Sequence, residues 1–156
     1  MVGNAYHGCT CGRTVILTGQ KDLVAQWVAS KIRDTYTPPK QDFEAIGVVR
    51  DGKLIGGVVY SNYHEIAPGQ HDIMLTSAGE PGWLTRGAIK VLIGYPFEQL
   101  ACIRLTSIIS KANKPARQLN ERLGFKLEGK IRHGRGIGKD CLVYGLLKAD
   151  AERWVK

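Results

Sequence analysis

Long hydrophobic runs, a leader-like start and paired cysteine motifs are all missing from this 156-residue sequence. No stretch approaches the roughly 18 consecutive apolar residues that a membrane helix needs. The opening residues, Met1 to Asn4, lack the basic and apolar regions that begin a signal peptide. We therefore expect a soluble protein that is not secreted and that resides in the cytoplasm.

Cysteine is scarce as well, and its four occurrences do not form a metal-ligand spacing. Cys9 and Cys11 form a C-x-C pair near His7, whereas zinc sites usually combine two cysteine or histidine doublets. A metal at this pair would need a further ligand from elsewhere, so we expect no metal. Cys102 and Cys141 fall in apolar, strand-like runs, where a free cysteine behaves as a small core residue. Unpaired thiols of this kind suit a reducing cytoplasm.

Acidic residues are too few in the second half of the chain to balance its basic ones. Residues 1–78 carry seven Lys or Arg and seven Asp or Glu, whereas residues 79–156 carry 15 and seven. The excess peaks between Lys111 and Lys139. Such a field attracts a phosphorylated cofactor, an acidic protein surface or nucleic acid, although a merely solvated basic face fits equally well. Nucleic acid is the least favoured, because this segment has few aromatic side chains for stacking and no recognised motif.

The chain is long enough for one domain, 1–156, and too short for two. Residues 1–12 are aperiodic and form an irregular lead-in. Beyond them, strand-like and helix-like patterns alternate, and strands that are partly adjacent and partly separated by helices imply a mixed sheet in an α/β or α+β domain. The expected strands are 13–18, 43–50, 53–63, 71–77, 102–109, 125–132 and 141–147, and the expected helices are 22–32, 84 to about 100, and 113–123.

Two local patterns in the first half of the chain are specific. Asp51-Gly52 lies between two strand-like runs, and this dipeptide suits a two-residue hairpin turn with positive φ. Apolar positions at helical spacing predict the buried face of helix 22–32. That face is Leu23, Trp27, Val28 and Ile32.

The second half has its own local expectations. Gly94 and Pro96 interrupt the long amphipathic segment, so we expect its helix to kink or end near Ile93. Strand 125–132 alternates apolar and charged residues and is expected to be half-buried. A short tail around Trp154 should follow the last strand. The expected buried face of the long helix is Leu84, Ala88, Val91, Leu92 and Tyr95.

The segment from residue 113 to 129 carries the clearest motif. It reads Asn113-x2-Ala116, then Leu123-Gly124-Phe125 and Glu128-Gly129, with Arg132 three residues later. In these residues and in its element order the sequence resembles the GNAT superfamily of N-acetyltransferases, above all the branch of ribosomal-protein N-terminal acetyltransferases and small enzymes of bacteria and their phages. The resemblance covers about residues 70–156. It implies the GNAT fold, in the order β-α-β-β-β-α-β-α-β-β, and the host cytoplasm for a phage protein.

The resemblance also implies acetyl-CoA as cosubstrate, with no metal. The family holds the CoA diphosphate on backbone amides at the start of the long helix, where free amides and the helix dipole favour anions. The matching stretch, Glu80–Thr85, keeps only Gly82 as glycine and has Trp83 where the family has a small residue. This departure keeps open the alternative of a catalytically inactive, protein-binding module. The predicted cofactor contacts are Leu75, Thr76, Gly82, Trp83, Leu84, Thr85, Arg86, Gly87 and Asn113.

The implied chemistry is direct attack of an amine on the thioester, with a base for the ammonium proton and an acid for the thiolate. Many relatives use a Tyr of the last helix as the acid, and Asn120 stands at the matching position. An Asn amide cannot supply that proton, but it can hydrogen-bond a sulfur. Glu44 and His71 are the candidate bases, because both are expected on strands near the cleft. Glu65 and Asp72 lie behind them.

Residues 134–139 look like a phosphate loop without being one. The stretch from Gly134 to Lys139 is one residue short of the G-x4-G-K pattern, and Asp140 stands where a Ser or Thr should follow. We interpret it as a basic hairpin that borders the acceptor site and suits an acidic acceptor. The expected acceptor is the amine of a protein N-terminus, a lysine or a small molecule, with no membrane partner. A homodimer and a basic nucleic-acid-binding domain remain further hypotheses.

Overall fold

The computed structural model describes residues 13–32 and 36–156. The irregular lead-in and the candidate ligands His7, Cys9 and Cys11 lie outside the described residues. Within the described part, the predicted order of strands and helices is confirmed, and one helix follows that the sequence did not predict. The elements are β1 Thr14–Leu17, α1 Lys21–Lys31, β2 Glu44–Arg50, β3 Lys53–Ala67, β4 Gln70–Gly79, α2 Arg86–Glu98, β5 Cys102–Ser110, α3 Lys114–Leu123, β6 Lys126–Ile131, β7 Cys141–Leu147 and α4 Lys148–Val155.

The seven strands of the described chain form one mixed sheet in the order β1-β2-β3-β4-β5-β7-β6. Every neighbouring pair is antiparallel except β4 and β5, which run parallel and are connected through α2. The predicted hairpin turn joins β2 to β3, with φ of 52° at Asp51 and 75° at Gly52. Two positive φ angles are what this dipeptide favours.

Helix α1 covers one face of the sheet, but not with the predicted set of side chains. Val24 and Val28 are fully buried, whereas Leu23 is 57% exposed. The reason lies in two glycines of the strands below. A Cβ on Gly57 would stand 2.8 Å from Val24, and one on Gly47 would stand 3.0 Å from it. The bare backbone lets the helix approach along its Val24–Val28 side, and the expectation that Leu23 is buried was wrong.

Helix α2 lies on the opposite face and continues through Pro96 to Glu98, so the expectation that it ends near Ile93 was wrong, whereas the alternative of a kink there stays a prediction. Proline has no amide hydrogen to donate to Leu92 O, the carbonyl four residues earlier. Tyr60 of β3 replaces that donor, since its hydroxyl donates to Leu92 O over 2.6 Å in a buried position. The helix is therefore kept intact by a side chain from the sheet.

The buried side of α2 also differs from the expected one. Ile89 and Ile93 are buried with Leu92, whereas Val91 is 38% exposed. The larger of the two cores lies here, between the sheet and the helices α2, α3 and α4. Cys102 and Cys141 are free and buried, as predicted. No helix in residues 13–32 and 36–156 is long and apolar enough to cross a membrane.

The last elements of the chain correct two further expectations. Strand β6 forms the edge of the sheet and is exposed along its whole length, rather than half-buried. The tail around Trp154 is the helix α4. The indole Nε1 of Trp154 donates to Leu123 O over 2.8 Å. The eight residues of α4 are too few for a clear helical period, which is why the sequence did not reveal it.

Candidate functional site

The parallel strands β4 and β5 separate halfway along their length. They pair from His71 opposite Cys102 to Met74 opposite Thr106, and no further. Beyond that point β4 stays paired with β3 as far as Gly79, and β5 stays paired with β7 as far as Ser110. The separation leaves a wedge-shaped gap in the sheet. Because successive side chains of a strand point to opposite faces, the gap has a mouth on each face.

The mouth on the face of α2 and α3, here called the helix-side mouth, opens into a mostly apolar cleft. Asn120 lies in its wall, and its side chain is 7% exposed. The amide nitrogen of Asn120 has no hydrogen-bond partner among the described residues. A buried donor without a partner is costly, so this group is suited to a ligand atom. The cleft is lined by Val58, Leu75, Ser77, Trp83, Leu84, Ile89, Leu92, Ile93, Ser107, Leu119, Asn120, Leu123 and Phe125.

The loop between β4 and α2 is a turn with its tryptophan directed inward. Trp83 N donates to Glu80 O over 3.1 Å, and Gly82 has a φ of 81°. A proline followed by a glycine with positive φ is the sequence of a type II turn. The Trp83 side chain is 7% exposed and packs on Gly56 and Gly79, which face each other across β3 and β4. The large side chain therefore leaves the outer surface of the loop backbone clear.

The first turn of α2 has open amides. Thr85 is the N-cap, and its side chain accepts from Ala88 N over 3.1 Å while its carbonyl accepts from Ile89 N over 2.9 Å. The amides of Arg86 and Gly87 have no partner among the described residues. Apart from its chain neighbours and the backbone of its own helix, a Cβ on Gly87 would meet no described atom nearer than Thr85 Oγ1, 4.0 Å away, so the surface beside this glycine is open. Such an end of a helix favours an anion.

Helix α4 contributes to the surroundings of this end of α2. Arg86 Nη2 donates to Arg153 O over 2.7 Å. The guanidinium groups of Arg86 and Arg153 lie 5.7 and 4.5 Å from the centre of the Trp154 ring. Both cations are thus held near the start of α2 by an element that the sequence did not predict. They add positive charge to the same region as the open amides.

The mouth on the other face, here called the open-side mouth, is flanked by two residues from loops. Tyr36 follows α1 and faces Thr76 of β4, and Arg135 follows β6 and donates to Ile108 O of β5 over 3.3 Å. No contact of the Tyr36 hydroxyl within the described residues has hydrogen-bond geometry, so this buried oxygen is without a partner. Burial raises the pKa of Tyr36, and the side chains of Thr76 and Arg135 offset part of that rise.

Sequence reasoning missed Tyr36. It lies in an irregular segment just before a pair of prolines, and no motif or periodicity marks it. Arg135 belongs to the hairpin that the sequence placed beside the acceptor site. Only the fold shows that Tyr36 and Arg135 flank the same mouth of the gap, Tyr36 beside β4 and Arg135 beside β5.

The remaining predicted residues lie at different places. Asn113 is the N-cap of α3, and its Oδ1 accepts from Ala116 N over 3.2 Å. Glu44 begins β2 opposite Tyr60, and its Oε1 accepts from the amide of Ala45 over 3.0 Å. It approaches the buried phenols of Tyr60 and Tyr95 rather than the open-side mouth.

His71 lies at the paired end of β4. Its ring stacks on Tyr63 with centroids 4.8 Å apart, and its Nε2 is 3.7 Å from Glu65. Five residues of strand separate His71 from Thr76, about 17 Å at roughly 3.3 Å per residue. The structure therefore does not bring His71 or Glu44 together with Asn120. Both remain predictions as bases.

Asp72 also lies outside the gap. Thr106 Oγ1 donates to its carboxylate, at 2.9 and 2.8 Å from the two oxygens, and Arg104 Nε is 3.6 Å away. Within the part of the chain that is described, no group of three or more His, Cys, Asp or Glu side chains is arranged to hold a metal ion.

Comparison with known proteins gives a sequence relative and several similar folds. No protein-family model matches the chain. YdaF of Bacillus subtilis (strain 168), which bears the name of a ribosomal N-acetyltransferase, is 30% identical over 110 residues. These residues are 68% of this chain and 60% of YdaF, so the chain spans about three-fifths of the length of that relative.

Solved acetyltransferase structures superpose over most of the chain. RimJ of Mycobacterium smegmatis, solved with CoA-disulfide, has a TM-score of 0.66 at 12% identity and covers 91% of this chain and 88% of its own. A Desulfovibrio desulfuricans protein assigned to the GNAT family has a TM-score of 0.64 at 16% identity, and the match covers 86% of this chain and 99% of that protein. Spermidine/spermine N-acetyltransferase SpeG of Vibrio cholerae, solved with manganese ions, has a TM-score of 0.63 at 16% identity, covering 92% and 98%. The predicted fold class is confirmed.

Proposed function

We propose that this chain, which has the GNAT fold, is an acetyl-CoA-dependent N-acetyltransferase that acts by direct attack of an amine on the thioester. The observation that carries this proposal is the gap between β4 and β5. It offers one mouth with open helix amides and a second mouth, on the other face, with a buried phenol. Two substrates can thus reach one point in the sheet from opposite sides.

The helix-side mouth fits CoA despite its altered loop. Among the described residues, the amides of Arg86 and Gly87 have no partner and no side chain lies within 4 Å of a Cβ built on Gly87 except Thr85. Trp83 leaves the loop surface clear because it is buried against the sheet. The diphosphate would bind at the start of α2, where amides and dipole favour negative charge. Leu75, Ser77 and Ser107 would flank the pantetheine arm in the gap.

The residues at the gap can serve the steps of the transfer. When bound, acetyl-CoA supplies an activated thioester. The amine nitrogen forms a bond to the acetyl carbon, the carbon–sulfur bond breaks, the amine loses one proton, and the departing thiolate gains one. The Asn120 amide can donate a hydrogen bond to the thioester, because its nitrogen has no other partner in the described chain. We assign to the Tyr36 hydroxyl the role of supplying the proton to sulfur, since burial raises its pKa and keeps it protonated.

An assay of thiol release tests this proposal directly. The wild-type protein with acetyl-CoA and a panel of amines should release free CoA thiol in proportion to acetylated amine. Asn120→Ala should reduce the rate at least about tenfold, as expected for the loss of a hydrogen bond made in a water-poor site, while the control Lys53→Gln in the β2–β3 turn should not. If acetyl-CoA gives neither binding heat nor a thermal shift at millimolar concentration, the enzymatic proposal is wrong. The inactive protein-binding module would then be the better account.

A further inference from the structure

Two segments of the chain form a basic rim beside the gap, and its hairpin part reaches the open-side mouth through Arg135. The basic rim consists of residues 111–117 and 130–140, which carry seven Lys or Arg and a single acidic residue, Asp140. The two segments are in contact, since Lys111 N donates to Asp140 O over 2.9 Å. Arg135 connects the rim to the gap through Ile108 O. The basic residues of the hairpin part, 130–140, therefore lie beside the mouth through which the acceptor would enter.

The one carboxylate of the basic rim is already occupied. Asp140 Oδ1 accepts from His133 N over 3.0 Å, and Oδ2 lies 3.9 Å from Lys130 Nζ. The backbone hydrogen bond from His133, followed by the charges of Lys130 and Lys111, lowers the pKa of Asp140. Asp140 therefore neutralises part of the charge of its lysine neighbours and leaves the other basic side chains of the rim without a carboxylate from within the rim.

Two of the three arginines of the basic rim are bound to backbone carbonyls instead of carboxylates. Arg117 Nη1 donates to Lys111 O over 3.0 Å, and Arg135 Nη2 donates to Ile108 O. The Nε atoms of both are buried without a partner in the described residues. Arg104, outside the rim, shows the contrast, because it pairs with the carboxylate of Glu128 over 2.6 Å. Among the described residues, the charges of Arg117 and Arg135 are therefore positioned but not neutralised by a carboxylate.

The hairpin part of the basic rim is an ordered loop. Arg135 N donates to Lys139 O over 2.9 Å, and Gly138 N donates to His133 Nδ1 over 2.7 Å. These bonds hold the exposed side chains of Arg132 and Lys139 on a fixed frame. A preformed charged surface of this kind loses less entropy on binding than a flexible one.

The composition of the surface favours a polypeptide over nucleic acid. The basic rim contains no Phe, Trp or Tyr on which bases could stack. Beside it, the edge strand β6 exposes backbone groups along its length, and such an edge can pair with an extended peptide. Ile137, 93% exposed at the hairpin tip, offers an apolar contact as well.

We propose that the acceptor is a polypeptide amine followed by acidic residues, which the basic rim holds while the amine enters the open-side mouth. The same charges repel an acceptor that is itself polycationic, so polyamines should be poor substrates. The transfer part of this inference rests on the proposed function, whereas the binding part does not.

Peptide binding measured by fluorescence anisotropy tests the inference without any need for turnover. The probes are C-terminally labelled peptides with a free N-terminal Ala followed by four acidic, four neutral or four Lys residues, and a single-stranded oligonucleotide of similar charge. The variant Arg132→Gln/Lys139→Gln removes two exposed charges of the basic rim. Lys53→Gln/Lys90→Gln removes two exposed charges elsewhere and is the matched control.

At about 50 mM salt we expect the acidic peptide to bind at least about tenfold more tightly than the neutral one. The rim variant should lose most of that preference, the control should keep it, and salt at about 0.5 M should abolish it. Equal affinity for acidic and Lys peptides, equal loss in both double variants, or tighter binding of the oligonucleotide would each overturn the inference. Acetyl transfer without preference for the acidic peptide would refute this inference and leave the proposed function standing. Selective binding of the acidic peptide without any acetyl transfer would support this inference and refute the proposed function.

Discussion

Replacing Tyr60 by Phe should show how α2 tolerates a proline in its interior. Tyr60 and Leu92 are each 1% exposed, and the Tyr60 hydroxyl is the donor to Leu92 O in the place of the amide that Pro96 lacks. Tyr60→Phe leaves this buried carbonyl without a donor, which costs about 1–3 kcal/mol. For a chain of this size that corresponds to a fall of about 3–9 °C in Tm. Thermal unfolding followed by circular dichroism measures it.

The same exchange elsewhere provides the control. Tyr63→Phe removes a hydroxyl that donates to Leu100 O over 2.9 Å, but Tyr63 is 46% exposed and water can replace it. We expect about 0.5 kcal/mol or less there. In a Pro96→Ala background the new amide can satisfy Leu92 O, so the cost of Tyr60→Phe should fall by about 1 kcal/mol or more. Equal destabilisation by the two Tyr→Phe changes, or a cost of Tyr60→Phe that Pro96→Ala does not reduce, would refute this explanation.

Two further predictions concern ionisable groups. Tyr36→Phe should lower the rate of acetyl transfer about tenfold or more with little change in acetyl-CoA affinity. Burial raises the pKa of Tyr36 above its ordinary value. The ratio of wild-type to variant rates should therefore stay level from about pH 6 to 9 and decline only above about pH 10. A ratio that falls between pH 6 and 8 would contradict the role of a protonated phenol. Burial, with a contribution from Asp72, raises the pKa of Cys102 to about 11, so at pH 8 its thiol should react with iodoacetamide far more slowly in the native than in the urea-unfolded protein. Peptide mass spectrometry measures this, and equal rates in both states would show that Cys102 is not buried as described.

The order of elements followed from sequence because it depends on local signals. Asp51-Gly52 was expected in a turn with positive φ and is found in one, and the helix expected over 113–123 lies at Lys114–Leu123. The GNAT fold then followed from a few short motifs at fixed distances. Signals of this kind depend only on residues that are close together in the sequence.

Expectations that depended on distant partners were the ones that failed. Leu23 was expected to be buried because the helical period alone does not show that glycines lie below Val24. The helix α2 was expected to end early because nothing near Pro96 reveals that Tyr60, 36 residues earlier, supplies the missing donor. Which face of α1 is buried, and whether Leu92 O has a donor, depend on residues that are distant in sequence and close in the fold.

The candidate site divides in the same way. Asn120 and the start of α2 were identified from motif spacing, and the structure places both at the gap. Trp83 seemed an obstacle in sequence, yet the paired glycines at positions 56 and 79 provide room for its ring inside the core. Tyr36 has no local signal at all, because its importance depends on the separation of two strands far along the chain.

The central claim, that CoA binds with its diphosphate at the start of α2, is tested most directly by calorimetric titration of acetyl-CoA into Gly87→Asp and Gly87→Asn. The position has room for either side chain, and an acidic residue in the first turn stabilises a helix. Gly87→Asp should therefore fold with an unchanged or higher Tm and yet lose at least about tenfold in acetyl-CoA affinity, because its carboxylate repels the diphosphate. Gly87→Asn, nearly identical in shape but neutral, should bind close to the wild-type affinity. Equal affinities of the two variants, or no binding heat from the wild-type protein, would contradict the account.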